Sequence, residues 1–302
     1  MRKAVIDIGT NSVKYLLAEI EEKRKPLVLK DVLVITKLGE KLRKEGIIIP
    51  SAATRTLDSI KRFVLDARKD GAKDIRLVGT MALRTASNAD EFVEKVRAAT
   101  GLEIDILSGE TEAILSFSGA VTGFDLSCVK KFCTIDTGGG STELVFAENG
   151  EIICKTSLKT GALLLTEKYF SRDKVSKEDL KNTDQELDII FGSTKPPFAT
   201  QLAIGIGGNV TSMASVFKRM ARYDSKEIHG TEIPYEEIER QIQEYSSKNL
   251  QERRHIRGLD PERAGIILAG ACIISRAMKF CGCRKLVVST RGLRHGVLHS
   301  CL

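Results

Sequence analysis

The chain contains no tryptophan, and aromatic residues make up only 5% of its 302 positions. Proteins that bind single-stranded nucleic acid stack bases on aromatic platforms. That class is disfavoured here, and no nucleic-acid partner is expected. Long hydrophobic runs are missing too. The most apolar stretch, Ala264 to Ile274, is about half of the ~20 residues that a membrane-spanning helix needs. The N-terminus reaches an acidic residue, Asp7, before an apolar signal segment can form. No membrane association and no export are therefore expected, and a cytoplasmic location is. Cysteine is sparse and unpatterned, at positions 128, 133, 154, 272, 281, 283 and 301. An odd number at irregular spacing is not a disulfide framework. Cys281-Gly282-Cys283 reads as half of a metal site, yet no second pair accompanies it. Buried reduced thiols are the expectation.

What is present is ordinary for a soluble globular chain: 42% hydrophobic and 29% charged residues. The length allows a substantial core and suggests two domains or one large one. The formal net charge is +7. Its placement is uneven, because residues 251–302 hold ten basic and three acidic side chains and the first 250 are balanced. A one-sided basic region attracts polyanions, and a solvated helix face is the plainer reading.

Short apolar runs at 4–8, 13–20 and 28–35 read as strands, the first two joined by the turn Gly9-Thr10-Asn11-Ser12. Helical spacing follows over 51–70, a strand over 75–79, a helix over 88–100, a strand over 104–107 and a helix over 110–122. The pattern then restarts. A strand at 132–135 ends at Asp136 and is followed by Thr137-Gly138-Gly139-Gly140-Ser141 and the apolar run 143–147. An offset of 129 lays Asp7 on Asp136, Gly9 on Gly138, Ser12 on Ser141 and Lys14 on Glu143. Two copies are too few for a solenoid and predict a duplicated domain with a cleft between the copies. Later segments at 174–190 and 235–249 read as exposed helices, and 258–278 as a buried one.

The glycine loops have a physical meaning. Backbone N–H groups approach an anion where no Cβ intervenes, and Ser and Thr hydroxyls add donors. An aspartate at the end of the preceding strand, here Asp7 or Asp136, can hold Mg2+ against the same phosphate. No Walker lysine follows either loop. A third loop, Gly205-Ile206-Gly207-Gly208-Asn209, precedes a helix over 210–220, whose N-terminus favours an anion. Arg84 can grip phosphate oxygens with its planar fork, although a surface arginine is the commoner case. Ser108-Gly109-Glu110-Thr111-Glu112 puts carboxylates in a first helical turn. Capping and dipole compensation explain them plainly, and a general base that orients water explains them functionally.

Taken together, Ile6 to Ser12, Arg84, Ser108 to Ala113, Ile135 to Leu144, Gly207-Gly208, Gly258 to Pro261 and Arg291 to Arg294 resemble the exopolyphosphatase / guanosine pentaphosphate phosphohydrolase (Ppx/GppA) family, in that family's order and in its short two-domain form. The resemblance implies an α/β fold of duplicated actin/hexokinase/Hsp70-like, ribonuclease H-like domains, divided near 1–127 and 128–302, with the active site in the interdomain cleft. It implies hydrolysis of a terminal phosphoanhydride in polyphosphate or in guanosine penta- or tetraphosphates, with Mg2+ or another divalent cation. Glu112 matches the glutamate that activates water, and Arg84 a phosphate-gripping arginine. Asp136 and Glu143 match acidic residues around metal and nucleophile, with Asp7 the third metal candidate. Gly9, Thr10, Asn11, Ser12, Gly138, Gly139, Gly140, Ser141, Gly207, Gly208 and Asn209 match the phosphate loops. Departures are Asn209-Val210-Thr211 after the third loop, Gly265 in place of an aspartate, and His295 where the family has glutamate. The resemblance is compatible with a homodimer. Polyphosphate hydrolysis is the leading expectation and pentaphosphate hydrolysis the second. A non-catalytic polyphosphate or alarmone sensor and a kinase of the same superfamily are the readings from other classes.

Overall fold

The computed structural model describes residues 1–21, 26–172, 174–200 and 202–300. The chain opens with β1 (Arg2–Ile8), β2 (Ser12–Glu19) and β3 (Leu27–Ile35). Then come α1 (Leu42–Glu45), α2 (Pro50–Lys69), β4 (Asp74–Gly79), α3 (Met81–Thr85), α4 (Ala89–Thr100), β5 (Ile104–Ile106) and α5 (Gly109–Val121). The first sheet has the order β3-β2-β1-β4-β5. Its first three strands are antiparallel, and β4 and β5 run parallel to β1.

The second half repeats the opening with β6 (Lys131–Thr137), β7 (Thr142–Glu148) and β8 (Glu151–Leu158). It continues with α6 (Ala162–Tyr169), α7 (Lys177–Gly192), β9 (Leu202–Ile206), α8 (Gly208–Phe217), α9 (Ser225–Ile228), β10 (Glu232–Pro234), α10 (Tyr235–Ser247) and α11 (Leu250–Arg254). A 3-10 turn (Pro261–Arg263), α12 (Ile267–Cys281), β11 (Lys285–Val288) and α13 (Leu293–Ser300) complete it. The second sheet has the order β10-β11-β9-β6-β7-β8. The duplication is visible in the register: Asp7 pairs with Lys14 across β1 and β2, and Asp136 with Glu143 across β6 and β7. These are the same positions that the sequence offset matched.

Burial explains the strand composition. Residues 3–8 of β1 are buried on both faces, so the run is apolar rather than alternating. Helix α2 starts with Pro50 at its first position and buries Ala52, Thr56, Ile60, Phe63, Val64 and Ala67, a stripe at helical spacing. With α4 it covers one face of the first sheet. The predicted buried helix at 258–278 is split. Gly258 adopts φ +92°, Pro261 follows, and the helix proper begins only at Ile267. The Asp260 side chain caps the short turn by accepting from the Glu262 N–H.

The chain exchanges helices between the sheets. Helix α5 follows β5 of the first sheet, yet Ala113, Phe117 and Ala120 pack on Phe132, Val145 and Ile204 of the second. Helix α13 ends the second half, yet Leu293, Val297 and Leu298 pack on Val5, Leu16 and Val78 of the first. The two helices touch backbone to backbone. A Cβ on Gly296 would collide with the Leu115 carbonyl, and one on Gly119 with Gly292. Only glycine permits that approach.

Candidate functional site

The two hairpin turns face each other across a narrow cleft. Each is closed by the same bond, Gly9 N–H to Ser12 O at 3.0 Å in one copy and Gly138 N–H to Ser141 O at 2.9 Å in the other. A strap over residues 36–39 covers the first turn: Thr36 and Lys37 donate to Asn11 O, and Gly39 donates to Thr10 O. The second turn is backed by α6, where Ala162 and Leu163 donate to the carbonyls of Gly138 and Gly139. The third loop brings the N-terminus of α8 to the same place. Gly207 sits at φ +94°, and the first intrahelical bond is Thr211 N–H to Gly207 O. The N–H groups of Gly208 and Asn209 therefore precede the helix's own ladder and are available to an anion. The Asn209 amide anchors this loop by donating to Thr137 O at 3.1 Å.

The cleft encloses about 70 Å3. Asp7, Gly9, Thr10, Asn11, Ser12, Glu112, Asp136, Gly138, Gly139, Gly140, Ser141, Glu143, Gly207, Gly208 and Asn209 all line it. Arg84 does not. Its Nη1 donates to Glu112 Oε2 at 2.7 Å and to Leu107 O at 2.7 Å, so it holds the glutamate from behind. Glu112 itself is placed by the start of α5, where Ser108 accepts from the Thr111 N–H. That helix start is capped by the Ser108 hydroxyl, and it sets Glu112 in the cleft and Glu110 beside Lys155.

Electrostatics set the protonation of this cleft. Burial raises the Glu112 pKa to about 7 against the pull of Arg84, with the charges of Asp136 and Asp7 adding to the rise. Glu143 is pushed well above the carboxylate range by burial and then by Glu112 and Asp136, although Ser157 donates to its Oε1 at 2.8 Å. Burial also raises Asp136. Several buried carboxyls crowd one cleft, the setting in which acid–base roles are divided.

Two residues that sequence reasoning did not single out line the cleft. Lys14 reaches Asp7 Oδ2 at 3.0 Å. The repeat already pointed to it, since it occupies the place of Glu143. Arg263 is buried, and its guanidinium lies directly over Gly208. Burial lowers its pKa. Its position beside the Gly258 to Pro261 motif was the available signal. Both residues also line a larger neighbouring cavity of about 540 Å3, walled in part by Met220, Tyr223 and Leu259. The C-terminal excess of positive charge does not form one open face. Arg276 pairs with Asp188, Arg291 donates to Thr122 O, and Arg294 makes a two-pronged pair with Asp31 at 2.8 Å.

The cleft is rich in unmatched acceptors. Buried Asp7 Oδ1, Asn11 Oδ1, Thr137 Oγ1 and Asn209 Oδ1 have no hydrogen-bond partner. Among the described residues, no cluster of three or more His, Cys, Asp or Glu is arranged to hold a metal ion by itself. Mg2+ is commonly bound by one or two carboxylates with the remaining positions left to water and substrate phosphates. Asp7 and Asp136 fit that pattern. Among the described residues, no helix is long and apolar enough to cross a membrane.

A model of the Ppx/GppA phosphatase family matches residues 16–302. The chain belongs to that family. The bifunctional 3-dehydroquinate synthase/phosphatase of Fusobacterium nucleatum is 32% identical over 297 residues, which is 95% of this chain and 44% of that protein. The chain thus spans less than half the length of that relative. Exopolyphosphatase 2 of Mycobacterium tuberculosis is 27% identical, covering 98% of this chain and 97% of its own. A guanosine-5'-triphosphate,3'-diphosphate pyrophosphatase of Photobacterium profundum is 27% identical over 98% of this chain and 58% of its own. The crystal structure of the Aquifex aeolicus Ppx/GppA family member superposes with a TM-score of 0.82 at 30% identity, covering 99% of this chain and 97% of that one. The two mixed sheets accordingly form the actin-like two-domain fold of Ppx/GppA proteins.

Proposed function

We propose that the chain hydrolyses terminal phosphoanhydride bonds, releasing orthophosphate from linear inorganic polyphosphate with water as nucleophile. The observation that carries this reading is Glu112, a largely buried carboxyl facing two glycine turns and a helix N-terminus, with its pKa raised to about 7. A base in that range can take a proton near neutral pH and is not already saturated with it. Arg84 orients the carboxyl through one oxygen, leaving the other for water. The N–H groups of the turns, the Ser12 and Ser141 hydroxyls and the α8 N-terminus would bind the terminal phosphate. Phosphoryl transfer asks for this positioning and charge neutralisation rather than covalent chemistry. Asp7 and Asp136, with Glu143 behind them, would hold Mg2+, which when bound neutralises phosphate charge.

The relative named exopolyphosphatase 2, matched over nearly the full length of both chains, supports polyphosphate as substrate. A second reading, release of the 5'-terminal phosphate from guanosine pentaphosphate, is favoured by the neighbouring 540 Å3 cavity. That volume suits a nucleoside, and the phosphate cleft lies beside it. Phosphate release from long polyphosphate, short polyphosphate and guanosine pentaphosphate, measured side by side with Mg2+, separates the readings. Release from polyphosphate alone supports the first, and release mainly from the nucleotide supports the second. Tight binding without release from any of them would replace both with a sensor.

A further inference from the structure

Three buried thiols meet behind the second sheet. Cys133 lies in β6, Cys281 ends α12, and Cys283 follows Gly282 at φ +75°. The Cys133 and Cys283 sulfurs are 4.0 Å apart, although 150 residues separate them in sequence. Cys133 and Cys281 are fully buried, and Cys283 keeps 6% of its surface exposed. None of the three lines the phosphate cleft. They do not form a metal site either, since no metal-holding cluster occurs among the described residues.

We propose that Cys133 and Cys283 are an oxidation site at which a hydroperoxide converts two thiols into an intramolecular disulfide. The Cys283 sulfur reacts first, because Cys283 alone of the three residues keeps any exposed surface. Its thiolate attacks one peroxide oxygen, and the O–O bond breaks. The leaving hydroxide takes up a proton as water, and Cys283 becomes a sulfenic acid. The Cys133 thiol then attacks that sulfur, the S–O bond breaks, and the leaving hydroxide takes the Cys133 proton to depart as a second water. In sum, two thiols and one hydrogen peroxide give one disulfide and two waters, with two electrons passing to the peroxide. Hydrogen bonds from the S–H groups of Cys133 and Cys281 lower the Cys283 pKa, and Cys133 is raised well above its usual value by its contacts with Cys281 and Cys283 and by burial. That difference makes Cys283 the attacking thiol, while Cys133 keeps its proton until the sulfenic acid has formed. Closing the gap from 4.0 Å to the ~2 Å of an S–S bond brings the two sulfurs about 2 Å nearer. A Cys281–Cys283 bridge would instead close a small ring through the left-handed Gly282.

The test uses the full chain treated with a few equivalents of hydrogen peroxide. Remaining thiols are capped with N-ethylmaleimide in denaturant, and unreduced tryptic peptides are analysed by mass spectrometry. The tryptic peptide 280–284 holds both Cys281 and Cys283, so fragmentation identifies the bridged sulfur. The expected result is a Cys133–Cys283 link, two hydrogens lighter than the reduced pair, released by dithiothreitol. Cys281 and Cys272 stay capped, and the oxidised protein melts at a higher temperature. C281S keeps the link and C283S loses it. If C283S does not fold, the wild-type fragmentation decides alone. Capping of both Cys133 and Cys283 after peroxide overturns the proposal. So does sulfinic acid at Cys283 with Cys133 free, or a link from Cys283 to Cys281.

Discussion

Replacing Glu112 with glutamine removes a charge while nearly preserving shape, and the glutamine carbonyl can still accept from Arg84. The structure sets two magnitudes for this change. In the folded protein the carboxyl holds its proton up to about pH 7, against an ordinary value of 4.5. Each pKa unit corresponds to about 1.4 kcal/mol, so the ionised side chain costs the fold at most about 3 kcal/mol. The sign follows from the direction of the shift. A raised pKa favours the folded state fully below the unfolded value, and that advantage is lost as pH rises from 4.5 through about 7. Glutamine has no such loss. Relative to wild type, E112Q should therefore gain up to about 3 kcal/mol between pH 4.5 and pH 8.5. Phosphate release should meanwhile fall by roughly 10²–10⁴, the scale of a general base. Urea unfolding at the two pH values, beside phosphate release at pH 8, tests both halves. Equal stability differences at the two pH values would refute the desolvation argument. Retained turnover would refute the assignment of Glu112 as base, whatever the stability data say.

Wild-type turnover should rise with pH through about 7, the range in which Glu112 loses its proton. R84A removes the group that holds this pKa down, so the ascending limb of its pH–rate profile should move to higher pH; an unmoved limb would separate Arg84 from Glu112. D7N should raise the Mg2+ concentration for half-maximal turnover by about tenfold or more, measured by Mg2+ titration at saturating substrate. G296A puts a methyl into the Leu115 carbonyl and should destabilise by at least about 1–3 kcal/mol in urea titrations. S176A breaks the capping box that joins Ser176 and Asp179 at the start of α7; about 1 kcal/mol should be lost, with phosphate release unchanged.

The duplication was legible because hairpin register is local. Seven residues separate Asp7 from Lys14 and Asp136 from Glu143, so each pair faces across one tight turn in both copies. The glycine turns were legible for the same reason. Arg84 was not, since its fork can face a ligand or a neighbour, and only tertiary packing brings it to Glu112 across 28 residues. Arg263 was hidden likewise. It stands over Gly208 because Gly258 and Pro261 break the apolar run that reads as one helix. The C-terminal charge excess was visible as a sum but misleading as a surface, because its arginines find partners as distant as Asp31. The exchange of α5 and α13 could not be read from periodicity, which tells that a helix is amphipathic but not which sheet it will cover.

That exchange has a consequence for synthesis. A ribosome delivers the chain at about 5–20 residues per second, and folding units ordinarily form in the order they emerge. Here Val5, Leu16 and Val78 are made early, but the helix that shields them is α13, at positions 293–300. The earliest strands must stay incompletely covered until nearly all of the described chain has been made. During that interval the nascent protein presents an apolar sheet face that a chaperone would recognise, and a stalled or truncated chain would keep it.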